Sequence, residues 1–244
     1  PELDAVIHVS RANQRIYEHT SGARNRNVAL IPGTVMERRS SAESAEKKAA
    51  DVRILHVGRL VPEKGADILL AAVAALHSRF SELRVDVVGP AGFGAAARFQ
   101  EDLRRFVTDH GLDDIVTFYG QVDEKQKAHL LLRSDILIIP SRWEEPAPIV
   151  VFEAMASGKP VVAASIGGLP EFIRDGQTGL LFQPNNPDSL RDTLAKLLEN
   201  PRLRIMMGEA GRAAFQRDFS PGKFLSRHAQ LYLVVLNQRT ATAE

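Results

Sequence analysis

The chain has 244 residues, 44% of them hydrophobic, enough for one full core and the edge of a second domain. Its 31 basic and 30 acidic residues leave a net charge of +1, which excludes a global positive field for nucleic acid or an anionic membrane; any anion must be bound locally. Without cysteine there are no disulfides or thiolate metal sites, which suits a reducing cytoplasm, and no apolar run approaches the roughly 20 residues that cross a bilayer.

The chain opens at Pro1 without an initiator Met or a signal-like stretch, so its start reads as cut from a longer protein. Residues 5–31 form a β-α-β-like block, AVIHV then polar residues then VALI, too small to fold alone. Residues 38–51, RRSSAESAEKKAAD, have no apolar periodicity and read as a linker. From residue 52 onward, short β-branched runs alternate with amphipathic stretches, the pattern of a parallel sheet covered by helices. Strands are predicted at 53–57, 84–88, 115–119, 136–139, 161–164 and 179–182, the count of a doubly wound Rossmann-like α/β domain. Helices are predicted at 64–79, 95–110, 124–132, 149–157, 170–174, 188–199, 203–217 and 222–238. The last carries Phe224, Leu225, Leu231, Tyr232, Val235 and Leu236, enough apolar surface to dock on something large.

Ligands of an open parallel sheet bind at the carboxyl ends of its strands. After the first strand, Gly58 opens a turn that places Arg59 and Lys64 at the mouth of a helix, where two cations would hold a phosphate. The same residues also fit a capping loop with solvated charges. No Walker A or Gly-x-Gly-x-x-Gly pattern is present, which counts against ordinary nucleoside triphosphate or dinucleotide chemistry.

After the fourth strand comes PSRWEEPAPIVVFEAMA, residues 140–156. Pro148 suits a first helical position, so a helix begins there, and the amides of Ile149 and Val150 point outward. Glu145 precedes that turn and Glu153 follows it. Eight residues along a helix is about 12 Å, beyond the roughly 5 to 5.5 Å of a retaining glycosidase pair. Two hydroxyl-bearing groups either side of a phosphate fit that span better. Glu153, flanked by Val150, Val151, Phe152 and Met155, belongs in a largely buried turn where it needs a partner. The bland alternative is a solvated Glu145 and a surface Glu153. Gln121 and Val122, after the third strand, either present backbone groups and a flat surface to a base or form an ordinary turn. Residues 166–171 read as structural, their paired glycines allowing close backbone packing. The seven histidines lack metal-ligand spacing and read as surface or boundary residues, except His56, read as a satisfied core group. Trp143 could stack on a base or sugar, but a lone Trp beside a strand end reads more readily as packing.

Four motifs in order, GRLVPEKG, FYGQV, EPAPIVVFEAMASGKPVV and GGLPEFIRDGQTGLLF, resemble those of glycosyltransferase family 4, whose GT-B fold faces two Rossmann-like domains. The resemblance runs from about residue 5 to 219. It implies that residues 1–37 are the end of the acceptor-binding domain, that 52–219 bind the donor and that 220–244 form a helix crossing back. By the same resemblance, Arg59 and Lys64 neutralise the donor diphosphate, Glu145 holds donor sugar hydroxyls and Glu153 the ribose. Ala147, Pro148, Ile149 and Val150 cradle sugar and phosphates, and Gln121 with Val122 holds the base.

The resemblance further implies a retaining transferase that takes a nucleoside diphosphate sugar and needs no metal or other cofactor. The acceptor would be a sugar, lipid or small molecule, and the location the cytoplasm or, peripherally, the inner membrane face, with membrane contact through the preceding domain. Two features depart from the pattern. Ala147-Pro148 stands where many members have Phe-Gly, deleting one amide donor, and Ile31-Pro32-Gly33-Thr34 stands where members usually have Asn-Gly. A nucleotide-sugar epimerase on the same fold and a non-catalytic nucleotide-sugar-binding module remain as alternative functions.

Overall fold

A computed structural model describes residues 5–21, 28–36, 51–90 and 94–241. Apart from Asp51, the expected linker at 38–51 lies outside the described residues. β1 (Val6–His8) and β2 (Val28–Leu30) pair in parallel around α1 (Arg11–Ser21), the β-α-β block expected from the sequence.

The larger unit is a six-stranded sheet built from β3 (Val52–Val57), β4 (Leu83–Val88), β5 (Val116–Gly120), β6 (Ile136–Ile139), β7 (Val161–Ala164) and β8 (Gly179–Phe182). All strand pairs are parallel, in the order β5-β4-β3-β6-β7-β8. That is the doubly wound order, and it reverses direction between β3 and β6. The crevice at the carboxyl ends of these two strands is therefore where a ligand belongs.

Helices α2 (Ala66–Leu76), α3 (Ala95–Asp109), α4 (Glu124–Arg133), α5 (Ile149–Ala156), α6 (Leu169–Phe172), α7 (Pro187–Glu199) and α8 (Pro201–Ala214) cover the two faces. Adjacent strand residues divide between two cores, as a period of two demands. Ile54 and Ile138 pack into one with Leu69, Leu103 and Leu194, while Leu55 and Leu137 pack into the other with Phe152, Met155 and Phe215. β6 and β7, Ile-Leu-Ile-Ile and Val-Val-Ala-Ala, are buried along their whole length, which explains why they read as continuous apolar runs.

The sequence-predicted strands all form, with edges displaced by a residue at most. Four helices differ from expectation by more than a residue: the last runs to Ala241 rather than 238, and the other three differ for identifiable reasons. The helix expected at 64–79 is a 3-10 turn over Pro62–Lys64 followed by α2, because Gly65 interrupts it at φ 70°. The helix expected at 170–174 ends at Phe172, after which Ile173 is extended. The helix expected at 203–217 begins at Pro201, capped by the Asn200 side chain on the Leu203 amide at 3.0 Å, and loosens into a π turn over Phe215–Phe219.

α9 (Pro221–Ala241) leaves Leu225, Tyr232, Leu233 and Leu236 about 60% exposed, so its apolar face is uncovered by the described residues. No helix of the described residues is long and apolar enough to cross a membrane. The small block is tied to the large one by side chains. Glu171 accepts hydrogen bonds from the amides of Arg11 and Ala12, both at 2.8 Å, and Thr34 Oγ1 donates to the Phe219 carbonyl at 2.6 Å. His8, expected at a surface or boundary, is instead buried within the block, tilted against Tyr17 at 5.2 Å between ring centroids. An apolar strand in contact with a helix leaves its alternate residue no exit to water.

Candidate functional site

The β3 and β6 loops meet at the switch point. Gly58 continues the sheet by donating to the Val88 carbonyl at 2.9 Å. Arg59 follows, exposed and without an ion pair or side-chain hydrogen bond among the described residues. Lys64 ends the 3-10 turn, and its Nζ makes a short contact with Oε1 of Glu145. The same carboxylate oxygen accepts from Ser141 Oγ at 2.7 Å. Glu145 is thus buried, at 5% exposure, but charge-balanced. The solvated-loop alternative for this residue is ruled out.

The loop that carries Glu145 is clasped from two sides. From the β3 side, Arg142 forks onto Asp67 at 2.7 and 2.6 Å and reaches the Pro62 carbonyl at 2.7 Å, while its own amide donates to the Glu63 carbonyl at 2.8 Å. Gly65 permits this approach, since a Cβ there would lie 1.9 Å from the Pro140 carbonyl oxygen. From the β7 side, the Gly168 amide donates to the Glu145 carbonyl at 2.8 Å, and a Cβ on Gly168 would stand 2.2 Å from the Pro146 carbonyl oxygen. The close-packing role expected of the paired glycines is therefore met.

α5 starts at Ile149. Pro148, expected as its first residue, is instead the extended N-cap residue at φ −69° and ψ 123°. A proline has no amide to lose in either position. No side chain among the described residues caps this helix, so the amides of Ile149 and Val150 keep their donors open toward the crevice end. Ala147 and Val150 pack against the core below, and Ile149 is half exposed beside Gly33, whose Cβ position would meet Ile149 Cδ1 at 2.9 Å.

Glu153 lies on the same helix, away from the Lys64 cluster. It pairs with Lys127 of α4 at 2.8 Å, the two side chains being 17% and 20% exposed. The partner that burial required is therefore a lysine from the neighbouring helix. Lys127 is held above the ordinary lysine range: burial works against its charge, but hydrogen bonds to Glu153 and Glu124 outweigh it. Both residues line a groove between α4 and α5, with Val35, Met36, Ala128 and Leu131 as apolar walls. Gln121 is exposed just past Gly120, at the end of edge strand β5, and Val122 packs inward on the second core.

Two expectations are corrected. His56 is buried, yet among the described residues only Nδ1 finds a partner, the Ile138 carbonyl at 3.4 Å, and Nε2 has none. Gly58 lies alongside that nitrogen, its Cβ position 3.6 Å away, and the core position is only half satisfied. Burial first, with the Lys64 charge adding to it and the Ile138 carbonyl opposing it, lowers the His56 pKa to about 4. Trp143, expected to pack, is half exposed at 51% because the clasp on its loop is made by its neighbours Arg142 and Glu145. Ser141, Arg142 and Lys127 were not singled out from the sequence; each acts on a partner distant in the chain, or on one whose proximity only the fold creates.

Among known proteins, residues 37–214 match the family described as glycosyl transferases group 1. The D-inositol 3-phosphate glycosyltransferase of Streptomyces griseus is 32% identical, aligning with 100% of this chain and 51% of that protein. The chain thus spans about half the length of the curated relatives it matches. The crystal structure of Anabaena HepE in complex with UDP and glucose superimposes with a TM-score of 0.83 at 26% identity, over 96% of this chain and 63% of that one. The C-terminal domain of a group 1 glycosyl transferase family protein, LpcC of Francisella tularensis, superimposes with a TM-score of 0.64 at 25% identity, over 70% of this chain and 87% of that one. The sheet order, the crevice at its switch point and the match across most of its length agree: the chain belongs to the glycosyl transferases group 1 family, with the Rossmann-like fold of a GT-B C-terminal domain.

Proposed function

We propose that this chain is the donor-binding half of a retaining glycosyltransferase that takes a nucleoside diphosphate sugar. The observation that carries the reading is the buried Glu145 carboxylate bridging Lys64 and Ser141 at the switch point, beside Arg59 and the start of α5, which no side chain among the described residues pairs with or caps. A diphosphate placed there meets Arg59, Lys64 and the amides of Ile149 and Val150. These supply the positive potential that stabilises a departing diphosphate without a divalent ion. Glu145, with one oxygen already engaged, directs its remaining acceptor capacity at donor sugar hydroxyls. Glu153 takes the ribose, and the backbone at Gln121 and Val122 the base. Relatives crystallised with UDP make a uridine donor the first to try.

In this reading β1, α1 and β2 are the end of an acceptor-binding domain, the acceptor being a sugar, a lipid or a small molecule. Alone, the chain binds donor but turns it over poorly, since the reaction needs an acceptor held against the sugar. Calorimetry with UDP-, GDP- and ADP-linked hexoses, and with the bare nucleotides, tests the assignment. Glu153→Ala should weaken nucleotide and nucleotide sugar alike. Glu145→Ala should cost the nucleotide sugar about tenfold more than the nucleotide, the worth of roughly one charge-assisted hydrogen bond. A chelator should change neither. Equal losses for both ligands in Glu145→Ala would remove its sugar-binding role, and a chelator effect would remove metal independence.

A further inference from the structure

Lys127 stands between two carboxylates, 2.8 Å from Glu153 on α5 and 3.0 Å from Glu124 one turn earlier on α4. Glu124 is 68% exposed, so its contact is made largely in water, whereas Lys127 and Glu153 meet partly shielded at 20% and 17%. Only Oε1 of Glu153 is engaged. Its second oxygen has no partner among the described residues, and the carboxylate borders the groove walled by Val35, Met36, Ala128 and Leu131. A glutamate on a helix surface ordinarily samples several rotamers, and ordering such a side chain costs binding free energy. A lysine that pins one oxygen removes that freedom before the ligand arrives. It also balances the charge, so the free oxygen meets the ribose 2′-hydroxyl as a directed acceptor rather than as part of a wandering anion.

We propose that Lys127 is a positioning residue that holds the Glu153 carboxylate in register for the ribose of the donor nucleotide, and so sets how strongly the site prefers ribonucleotides to 2′-deoxyribonucleotides. This rests on the ribose-binding reading of Glu153. Lys127 acts through Glu153, so its contribution exists only while the sugar presents the hydroxyl that Glu153 accepts.

The test uses whichever of UDP, GDP and ADP the chain binds most tightly, together with its 2′-deoxy counterpart, titrated calorimetrically into the wild type, Lys127→Met, Lys127→Arg and Glu153→Gln. Lys127→Met should weaken the ribonucleotide about tenfold, the loss expected when a charge-assisted contact is left unsupported. The deoxynucleotide should change less than twofold, and Lys127→Arg should restore most of the preference. Equal losses for both nucleotides, as from a mere strut between α4 and α5, would overturn the proposal, and so would no loss at all. Glu153→Gln separates the two layers. If it collapses the ribose preference while Lys127→Met does not, only the lysine assignment fails. If Glu153→Gln leaves the preference intact, or none of the three nucleotides binds, the ribose reading of Glu153 fails with it.

Discussion

Glu145 sits in a loop whose backbone is clasped by β3-side and β7-side segments, whereas Glu153 rides on a continuous helix and leans on one lysine from the next. The first side chain is 7% exposed and shares an oxygen between Lys64 and Ser141; the second is 17% exposed beside an open groove. Rigid placement of Glu145 is built from main-chain contacts at Gly65 and Gly168 and the Arg142 fork on Asp67. Placement of Glu153 is built from one ion pair between side chains. The contrast teaches that two carboxylates eight residues apart can be held by different physics: one by backbone geometry that tolerates no added atom, the other by a contact that a single substitution removes.

If the Glu145 half depends on buried packing, it should also be the acid-sensitive half. His56 beneath it has a folded pKa of about 4 against an ordinary value of 6.5. A histidine whose pKa is depressed by folding contributes its full stability above the unfolded value, and that stability is lost as pH falls from about 6.5 through 4. The gap corresponds to on the order of 3 kcal/mol. His56→Phe should therefore flatten the fall in unfolding free energy between pH 7 and pH 4, measured by urea titration at each pH. A variant that loses as much stability as the wild type over this range would place the acid sensitivity elsewhere.

The clasp itself can be broken next. Gly168→Ala puts a methyl group 2.2 Å from the Pro146 carbonyl oxygen, against backbone that cannot swing aside. Overpacking of this kind costs about 2 kcal/mol. The urea midpoint should fall, and nucleotide-sugar affinity should fall more than nucleotide affinity because Glu145 moves and Glu153 does not. Unchanged affinity for both ligands in a folded Gly168→Ala protein would show that the clasp does not position Glu145.

Smallest is the effect of Glu171→Ala, which removes the two carboxylate bonds at the start of α1. A lost helix cap costs about 1 kcal/mol. Hydrogen exchange should accelerate at Arg11 and Ala12 while amides of α5 keep their protection. Exchange that speeds equally in both helices would mean that the two blocks unfold as one, leaving Glu171 no local role.

Much of this could be read from the chain before any coordinates. β-branched runs such as Val52–Val57 and Ile136–Ile139 read as strands, whereas the similar run at the start of Ile149–Ala156 follows Pro146 and Pro148 and reads as the opening of a helix. What escaped the reading were contacts between distant positions. Lys64 and Glu145 are separated by 81 residues, Asp67 and Arg142 by 75, and Glu171 and the α1 amides by about 160. Nothing in the local pattern around Lys127 marks it as the partner of Glu153, because its periodicity fits the solvated face of a helix equally well.

The amino-acid sequence by itself determined the alternation of strands and helices, the placement of glycines and prolines at the carboxyl edge, and the family to which the chain belongs. These are short-range properties, set by side-chain shape and spacing along a few turns of chain. Only the tertiary structure decided which charges meet. It turned Lys64 toward Glu145, gave Glu153 a lysine and, among the described residues, left Arg59 and one nitrogen of His56 without a partner. Ion pairing depends on separations of a few ångströms, and those are fixed only once the sheet order has brought β3 beside β6 and α4 beside α5.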